Sequence, residues 1–211
     1  MASSLIHLAV AKKVLESINV DNEKHYYLGA IAPDIAKMVG IGRNRSHFIK
    51  DGENTDTPNV IRFLNKYKKY LTNSYELGYY IHLLTDVLWF DEFLPNFVKD
   101  GCLVSKMGEL IHFAEDELLE ILYDDYSNLN PQLIEHYNLD LSLFYEKFDF
   151  PKSYITEVSE EYFQDVVDKL GAYCIKECNS NFVLQLENVI HFIEYACVYC
   201  LDELEKLNYQ Y

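Results

Sequence analysis

Two polar residues interrupt an otherwise apolar stretch of the chain, 78-GYYIHLLTDVLWFDE-92. His82 and Asp86 are four positions apart, so in a helix they lie on one face, about 40° apart around the axis. A buried imidazole and a buried carboxylate both need partners, because an unpaired polar group away from water costs free energy. The partner is either a neighbouring side chain or a metal ion.

Other segments also place His or Asp where a protein core would otherwise hold an apolar residue. These residues are His7, Asp34 after Pro33, His47, and the pair His112 and Asp116, which repeats the four-residue spacing. Each has an ordinary explanation when taken alone: a core hydrogen bond for His7, a helix N-cap for Asp34, a solvated acidic face for Asp116. Together they favour a metal site, because imidazole and carboxylate donors without Cys suit zinc, iron or manganese.

Helical periodicity dominates the rest of the chain. Helices are predicted from Ser3 or Ser4 to about Ser17 and over 59–71, 75–90, 103–124, 154–178 and 182–207. Pro33 is expected to end or kink the apolar segment 23–32, and 128–132 and 149–153 are expected connectors. We find no alternating strand pattern. The sequence therefore predicts an all-α fold, a single-domain multi-helix bundle over 1–211 with a metal-site core in 1–130 and additional helices in 131–211.

Charge and cysteine content restrict the partners and the compartment. The chain has 18 Lys and Arg against 34 Asp and Glu, a formal net charge of −16. This excess disfavours duplex nucleic acid and anionic membranes. An odd number of Cys does not suggest a disulfide framework, and Cys174, Cys178, Cys197 and Cys200 are expected to be buried reduced thiols. Neither a signal peptide nor a transmembrane segment is evident, so a cytoplasmic location is expected.

In order and spacing, these residues resemble the zinc-dependent phospholipase C family, whose helical fold is shared with the fungal single-strand nucleases. The resemblance is carried by 29-GAIAPD-34, 46-SHF-48 and 77-LGYYIHLLTDVLW-89, and it continues more loosely to about residue 130. Family members hold three zinc ions with His and Asp ligands and with the amino group and carbonyl of the first mature residue. Two or three zinc ions are therefore expected here, with iron or manganese as alternatives.

Carried over by position, the resemblance implies a set of metal ligands from five parts of the chain. They are His7, Asp34, His47, His82, Asp86, Glu92, His112 and Asp116. Glu92, with Asp91 next to it, stands where the family has a His six residues after the helical Asp, so the site is altered there. If Met1 is removed, Ala2 stands five residues before His7, in the position of the terminal ligand.

The function implied is that of a metal-dependent hydrolase of phosphoric esters, a phospholipase C-like phosphodiesterase that uses a metal-bound hydroxide. Asp34 and Asp86 are the expected catalytic residues, with Asp34 as general base or water-orienting group. Arg43 and Arg45 are weaker candidates for binding the substrate phosphate.

The expected substrate is a small phosphodiester or a phospholipid headgroup. The alternative is a catalytically altered, metal-stabilised binding or interaction domain of the same fold. A helical phosphohydrolase with adjacent His and Asp ligands is disfavoured, because the sequence contains no His-Asp dipeptide.

Overall fold

The computed structural model describes residues 2–105, 107–142, 149–173 and 183–208, and helices dominate them. The α-helices are α1 (Ser4–Leu15), α2 (Glu23–Met38), α3 (Arg43–Ser46), α4 (Val60–Tyr67), α5 (Ser74–Leu88), α6 (Glu115–Tyr137), α7 (Phe163–Tyr173) and α8 (Leu186–Lys206). Short 3-10 turns cover Lys68–Tyr70, Leu94–Asn96 and Glu160–Tyr162, and a π-helical turn at Trp89–Phe93 continues α5. One small antiparallel sheet consists of β1 (Val98–Lys99), β2 (Cys102–Val104) and β3 (Leu110–His112) in that order. The predicted all-α class is confirmed.

Polar residues placed just before the helices fix where they begin. The Ser3 hydroxyl accepts a hydrogen bond from the Ile6 amide at 3.3 Å, which caps α1 as the sequence predicted. Asn22 and Asn59 cap α2 and α4 in the same way. These side chains satisfy amide groups that have no partner inside the helix.

Helix α5 lies at the centre of the fold and is buried on almost every side. It packs against α1, α2, α4 and α8. The contact with α2 is unusually close, because Gly29 on α2 and Gly78 on α5 face each other's backbones. A Cβ atom added at Gly29 would overlap the carbonyl oxygen of Tyr75, and one added at Gly78 would overlap that of Tyr26. Glycine is therefore required at both positions.

The expected connector at 128–132 is wrong, and Pro33 does not end the segment before it. Pro33 lies inside α2 and Pro131 lies inside α6, so neither residue ends its helix, and 128–132 is not a connector. Proline removes one amide donor from a helix, but α2 continues through Pro33 and packs closely against α5. Asp34 is therefore an interior residue of α2.

The predicted helix over 103–124 is wrong in its first half, which forms β2, a turn and β3 instead. Asp100 and Gly101 both have positive φ, 52° and 73°, in the tight turn between β1 and β2. The chain then pairs antiparallel, with Cys102 opposite His112. Helix α6 begins at Glu115, so His112 and Asp116 do not lie on one helix.

Towards the C-terminus the helices are shorter than predicted, since α7 begins at Phe163 rather than near residue 154. Cys197 and Cys200 are buried and free, as expected. Cys174 and Cys178 lie outside the described residues. Within the described ranges, no helix has the combined length and apolar character needed to cross a bilayer.

The close contact between α2 and α5 leads to a test of the fold. Replacing Gly29 or Gly78 with Ala should reduce the free energy of unfolding by about 2 kcal/mol or more, because the new methyl group meets backbone atoms. Urea denaturation measures this loss. Ile61→Ala on the exposed side of α4 is the control and should change stability little. Wild-type stability in both glycine variants would show that the helices do not approach this closely.

Candidate metal centre

Five of the predicted site residues meet in one buried group. His7 comes from α1, Asp34 from α2, His47 directly follows α3, and His82 and Asp86 come from α5. The three histidines and Asp86 are at most 1% exposed, whereas the Asp34 side chain is 11% exposed. Donor atoms of His7, Asp34, His82 and Asp86 all lie within 4.8 Å of one another.

The tautomer of His82 follows from its backbone contact. Its Nδ1 lies 2.8 Å from the carbonyl oxygen of Ala30 on α2. Because a carbonyl oxygen only accepts, Nδ1 must carry the hydrogen, and the neutral ring then has a lone pair on Nε2. That Nε2 lies 3.7 Å from Asp34 Oδ1 and 3.9 Å from Asp86 Oδ2. The backbone of α2 therefore aims the lone pair of this nitrogen at two carboxylates, an orientation that suits a metal ligand.

His47 is oriented in a similar way. Its Nδ1 lies 3.1 Å from the carbonyl oxygen of Arg43 and 2.9 Å from the Ser46 hydroxyl, which itself donates to the same carbonyl. With the hydrogen on Nδ1, the Nε2 lone pair faces Asp86 Oδ2 at 3.2 Å and His82 Nε2 at 3.3 Å. The Tyr79 hydroxyl supports this segment by donating to the Ser46 carbonyl at 2.6 Å.

His7 completes the group from the side of α1. Its ring stacks on that of His82, with centroids 3.7 Å apart and planes 15° apart. Its Nε2 lies 3.4 Å from Asp86 Oδ1 and 4.0 Å from Asp34 Oδ2. Within the part of the chain that the structure describes, neither nitrogen of His7 makes a hydrogen bond. Such a buried and unsatisfied imidazole fits a metal ligand.

Burial changes the protonation of these groups. It lowers the pKa of His47 and lowers that of His82 well below its usual range, so neither imidazole readily takes a proton. Burial also raises the pKa of Asp34.

Two further groups touch Asp86. The Nη2 atom of Arg43 donates to Asp86 Oδ2 at 3.0 Å, and the backbone nitrogen of Ala2 donates to Asp86 Oδ1 at 3.4 Å. The carboxylate of Asp86 therefore has two sides, one facing His7 and Ala2 and the other facing His47 and Arg43. The position of Ala2 was anticipated from its spacing to His7, but no sequence signal pointed to the Ala30 carbonyl as the group that orients His82.

Four predicted site residues lie outside this group. Glu92 is exposed on the π-helical turn, where its carboxylate contacts Tyr195. His112 is exposed on β3, with Nδ1 3.0 Å from Cys102 Sγ, and Asp116 is exposed in the first turn of α6. Arg45 is exposed and donates to the Thr156 carbonyl at 2.9 Å. His112 and Asp116 lie outside the group because a hairpin replaces the first half of the predicted helix.

Comparison with known families agrees with this site. The family model described as zinc dependent phospholipase C matches residues 6–96, a segment that contains all five residues of the buried group. This match supports assigning the chain to that family and confirms the resemblance seen in the sequence. No curated protein and no solved structure matches the chain.

The buried histidines predict a pH dependence for the metal-free protein. As the pH falls from about 7 to about 5, the unfolded chain binds protons on His47 and His82 near pH 6.5, whereas the folded chain resists them. The free energy of unfolding should therefore fall, with each histidine contributing up to about 1.4 kcal/mol per pH unit. The raised pKa of Asp34 acts in the opposite direction, since the folded chain then holds a proton that the unfolded chain releases.

Replacing His82 with Gln removes one histidine whose protonation differs between the folded and unfolded chain. The free energy of unfolding should then fall less steeply with decreasing pH, by up to about 1.4 kcal/mol per pH unit. Urea titrations in the presence of EDTA at several pH values measure it. His136→Gln, an exposed position on α6, is the matched control and should leave the slope unchanged. Parallel pH profiles for wild type and His82→Gln would show that His82 is not kept neutral in the folded state.

Proposed function

We propose that this chain, assigned to the zinc-dependent phospholipase C family through residues 6–96, is a metal-dependent hydrolase of phosphoric esters. One observation carries the proposal. The Nε2 lone pairs of His47 and His82 face each other at 3.3 Å beside the carboxylates of Asp34 and Asp86. Electron-rich atoms gathered away from water need a cation between them. Because burial keeps the imidazoles neutral, a divalent metal suits this role better than a proton.

The donor set fits zinc. Neutral imidazoles and carboxylates without thiolates are ligands of zinc, with iron or manganese as alternatives. The two oxygens of Asp86 face different donors, namely His7 and Ala2 on one side and His47 on the other, and this arrangement suits two ions. Glu92, His112 and Asp116, which the family resemblance offers for a further ion, are exposed and outside the group. If Met1 is removed, the Ala2 nitrogen becomes an amine and a further ligand.

Asp34 is the residue we assign to handling the attacking water. A bound divalent ion lowers the pKa of a coordinated water towards neutrality. Asp34 is the most exposed member of the group, and its Oδ1 is a buried atom that makes no hydrogen bond to any described residue. Burial raises the pKa of Asp34, which favours proton uptake by this carboxylate. Asp86 would hold the ions, and the Arg43 guanidinium 3.0 Å away favours its ionised form.

The substrate we propose is a small phosphodiester, either soluble or the headgroup of a phospholipid. The net charge of −16 disfavours duplex nucleic acid and anionic membrane surfaces. A zwitterionic diester, in which a cationic group balances the charge of the phosphate, approaches this protein without that penalty.

A second candidate function is a metal-stabilised binding or interaction domain without turnover. Three of the ligands implied by the family resemblance, Glu92, His112 and Asp116, lie outside the buried group, which favours this alternative. Both functions predict bound metal. They differ in whether the site hydrolyses a diester.

Metal content and an Asp34 variant test the proposal. Protein purified without added metal should contain about two equivalents of zinc by elemental analysis. Added zinc should raise the melting temperature of protein that has been treated with a chelator. A ligand present at a concentration of 100 times its Kd stabilises the folded state that it binds by about 2.7 kcal/mol. Absence of any tightly held ion would contradict both functions.

Asp34→Asn separates the two functions. An enzyme should lose at least about 100-fold in aryl phosphodiester hydrolysis while keeping its helical content and melting temperature, because general-base catalysis contributes 10²–10⁴-fold. Asp51→Asn, in the exposed loop after α3, is the control and should keep full activity. Bound zinc without diester turnover in wild type would instead favour the binding domain.

A further inference from the structure

We propose that Arg43 binds the phosphate group of the substrate and supplies the fixed positive charge that a third metal ion would otherwise provide. This inference rests on the proposed function, because it assigns the substrate contact of the same site. It also distinguishes Arg43 from Arg45, which the sequence alone presents as equivalent.

Arg43 is built into the metal centre. Its Nη2 donates to Asp86 Oδ2 at 3.0 Å, and its side chain is 13% exposed. The guanidinium carbon lies 4.8 Å from the centroid of the Phe90 ring, which covers one face of the group. The carbonyl of Arg43 also accepts the hydrogen bonds that orient His47. The charge is therefore held in place from several directions.

Most of the hydrogen-bonding capacity of this guanidinium is unused. Nε and Nη1 are buried, and neither makes a hydrogen bond to a residue in the described ranges. The nearest other acid is Asp56, whose Oδ1 lies 3.8 Å from Nη1 and whose side chain is 74% exposed. A buried donor left without a partner costs free energy. An anion at this position removes that cost, and guanidinium N–H groups match phosphate oxygens.

The location of Arg43 explains how the site can work with fewer ions. Glu92, His112 and Asp116 lie outside the buried group, so these residues do not hold a cation beside Asp86. Arg43 already places one positive charge at that carboxylate. The role that we assign to it is to bind and neutralise a phosphate oxygen, which needs positive charge but no metal chemistry.

Arg45 offers a matched control two residues away. It has the same side chain on the same short helix, but it is exposed and donates to the Thr156 carbonyl. A general effect of removing positive charge from this segment would appear in both variants. A specific anion site would appear in Arg43 alone.

The test is calorimetric titration of inorganic phosphate into zinc-loaded wild type, Arg43→Gln, Arg43→Lys and Arg45→Gln, with zinc content measured for each. We expect Arg43→Gln to weaken phosphate binding by at least about tenfold, equal to about 1.4 kcal/mol. Arg43→Lys should weaken it less, because Lys keeps the charge but loses the planar fork. Arg45→Gln should bind as wild type does, and all four proteins should hold two zinc equivalents.

Equal phosphate affinity in wild type and Arg43→Gln would overturn the proposal, as would a third zinc equivalent in wild type. If Arg43→Gln does not fold, Arg43→Lys is the deciding variant. Phosphate affinity equal to that of wild type in Arg43→Lys would overturn recognition by the planar guanidinium. Weaker phosphate binding in Arg43→Lys would support it. If wild type binds zinc but Arg43→Gln binds phosphate as tightly as wild type, only this inference fails. A wild-type protein that binds no zinc removes the proposed function as well.

Discussion

The structure depends on a set of electron-rich groups that are held together away from water. Nε2 atoms of His47 and His82 lie 3.3 Å apart, and the carboxylates of Asp34 and Asp86 lie beside them. Backbone carbonyls fix both rings with their lone pairs inward. Arg43 offsets one negative charge, and a divalent ion would offset the remaining excess. Stability and proposed chemistry therefore share one cause, because the atoms that destabilise the metal-free core are the ones that we propose as metal ligands.

The fold brings these groups together through the contact between α2 and α5. Gly29 and Gly78 allow the two backbones to touch, which puts the Ala30 carbonyl within 2.8 Å of His82. Asp34 lies one turn further along α2 and Asp86 one turn further along α5. The closest contact between α2 and α5 is thus next to the candidate metal ligands on the same two helices. A change in the distance between these helices would change the geometry of those ligands.

Local spacing in the sequence was enough to predict the helical class and to single out the residues that meet in the buried group. The pair His82 and Asp86 needed no tertiary information, because helical geometry alone puts them on one face. The rings' tautomers were not predictable, since they depend on the carbonyls of Ala30 and Arg43. Those contacts exist only after the helices have packed.

The main error came from a helical periodicity that competed with a turn signal. Spacing between His112 and Asp116 suggested a helix, but Asp100 and Gly101 form an Asp-Gly pair, a strong signal for a tight hairpin turn. Both have positive φ in the structure, and the hairpin separates His112 from Asp116. The tendency of proline to end a helix was overestimated, because α2 stays helical through Pro33.

The most direct measurement is an anomalous difference map at the zinc absorption edge, from crystals grown with zinc. We expect peaks about 2.0–2.2 Å from Nε2 of His47 and His82 and from the oxygens of Asp86. Peaks confined to surface positions such as His112 and Cys102, with none inside the buried group, would contradict it.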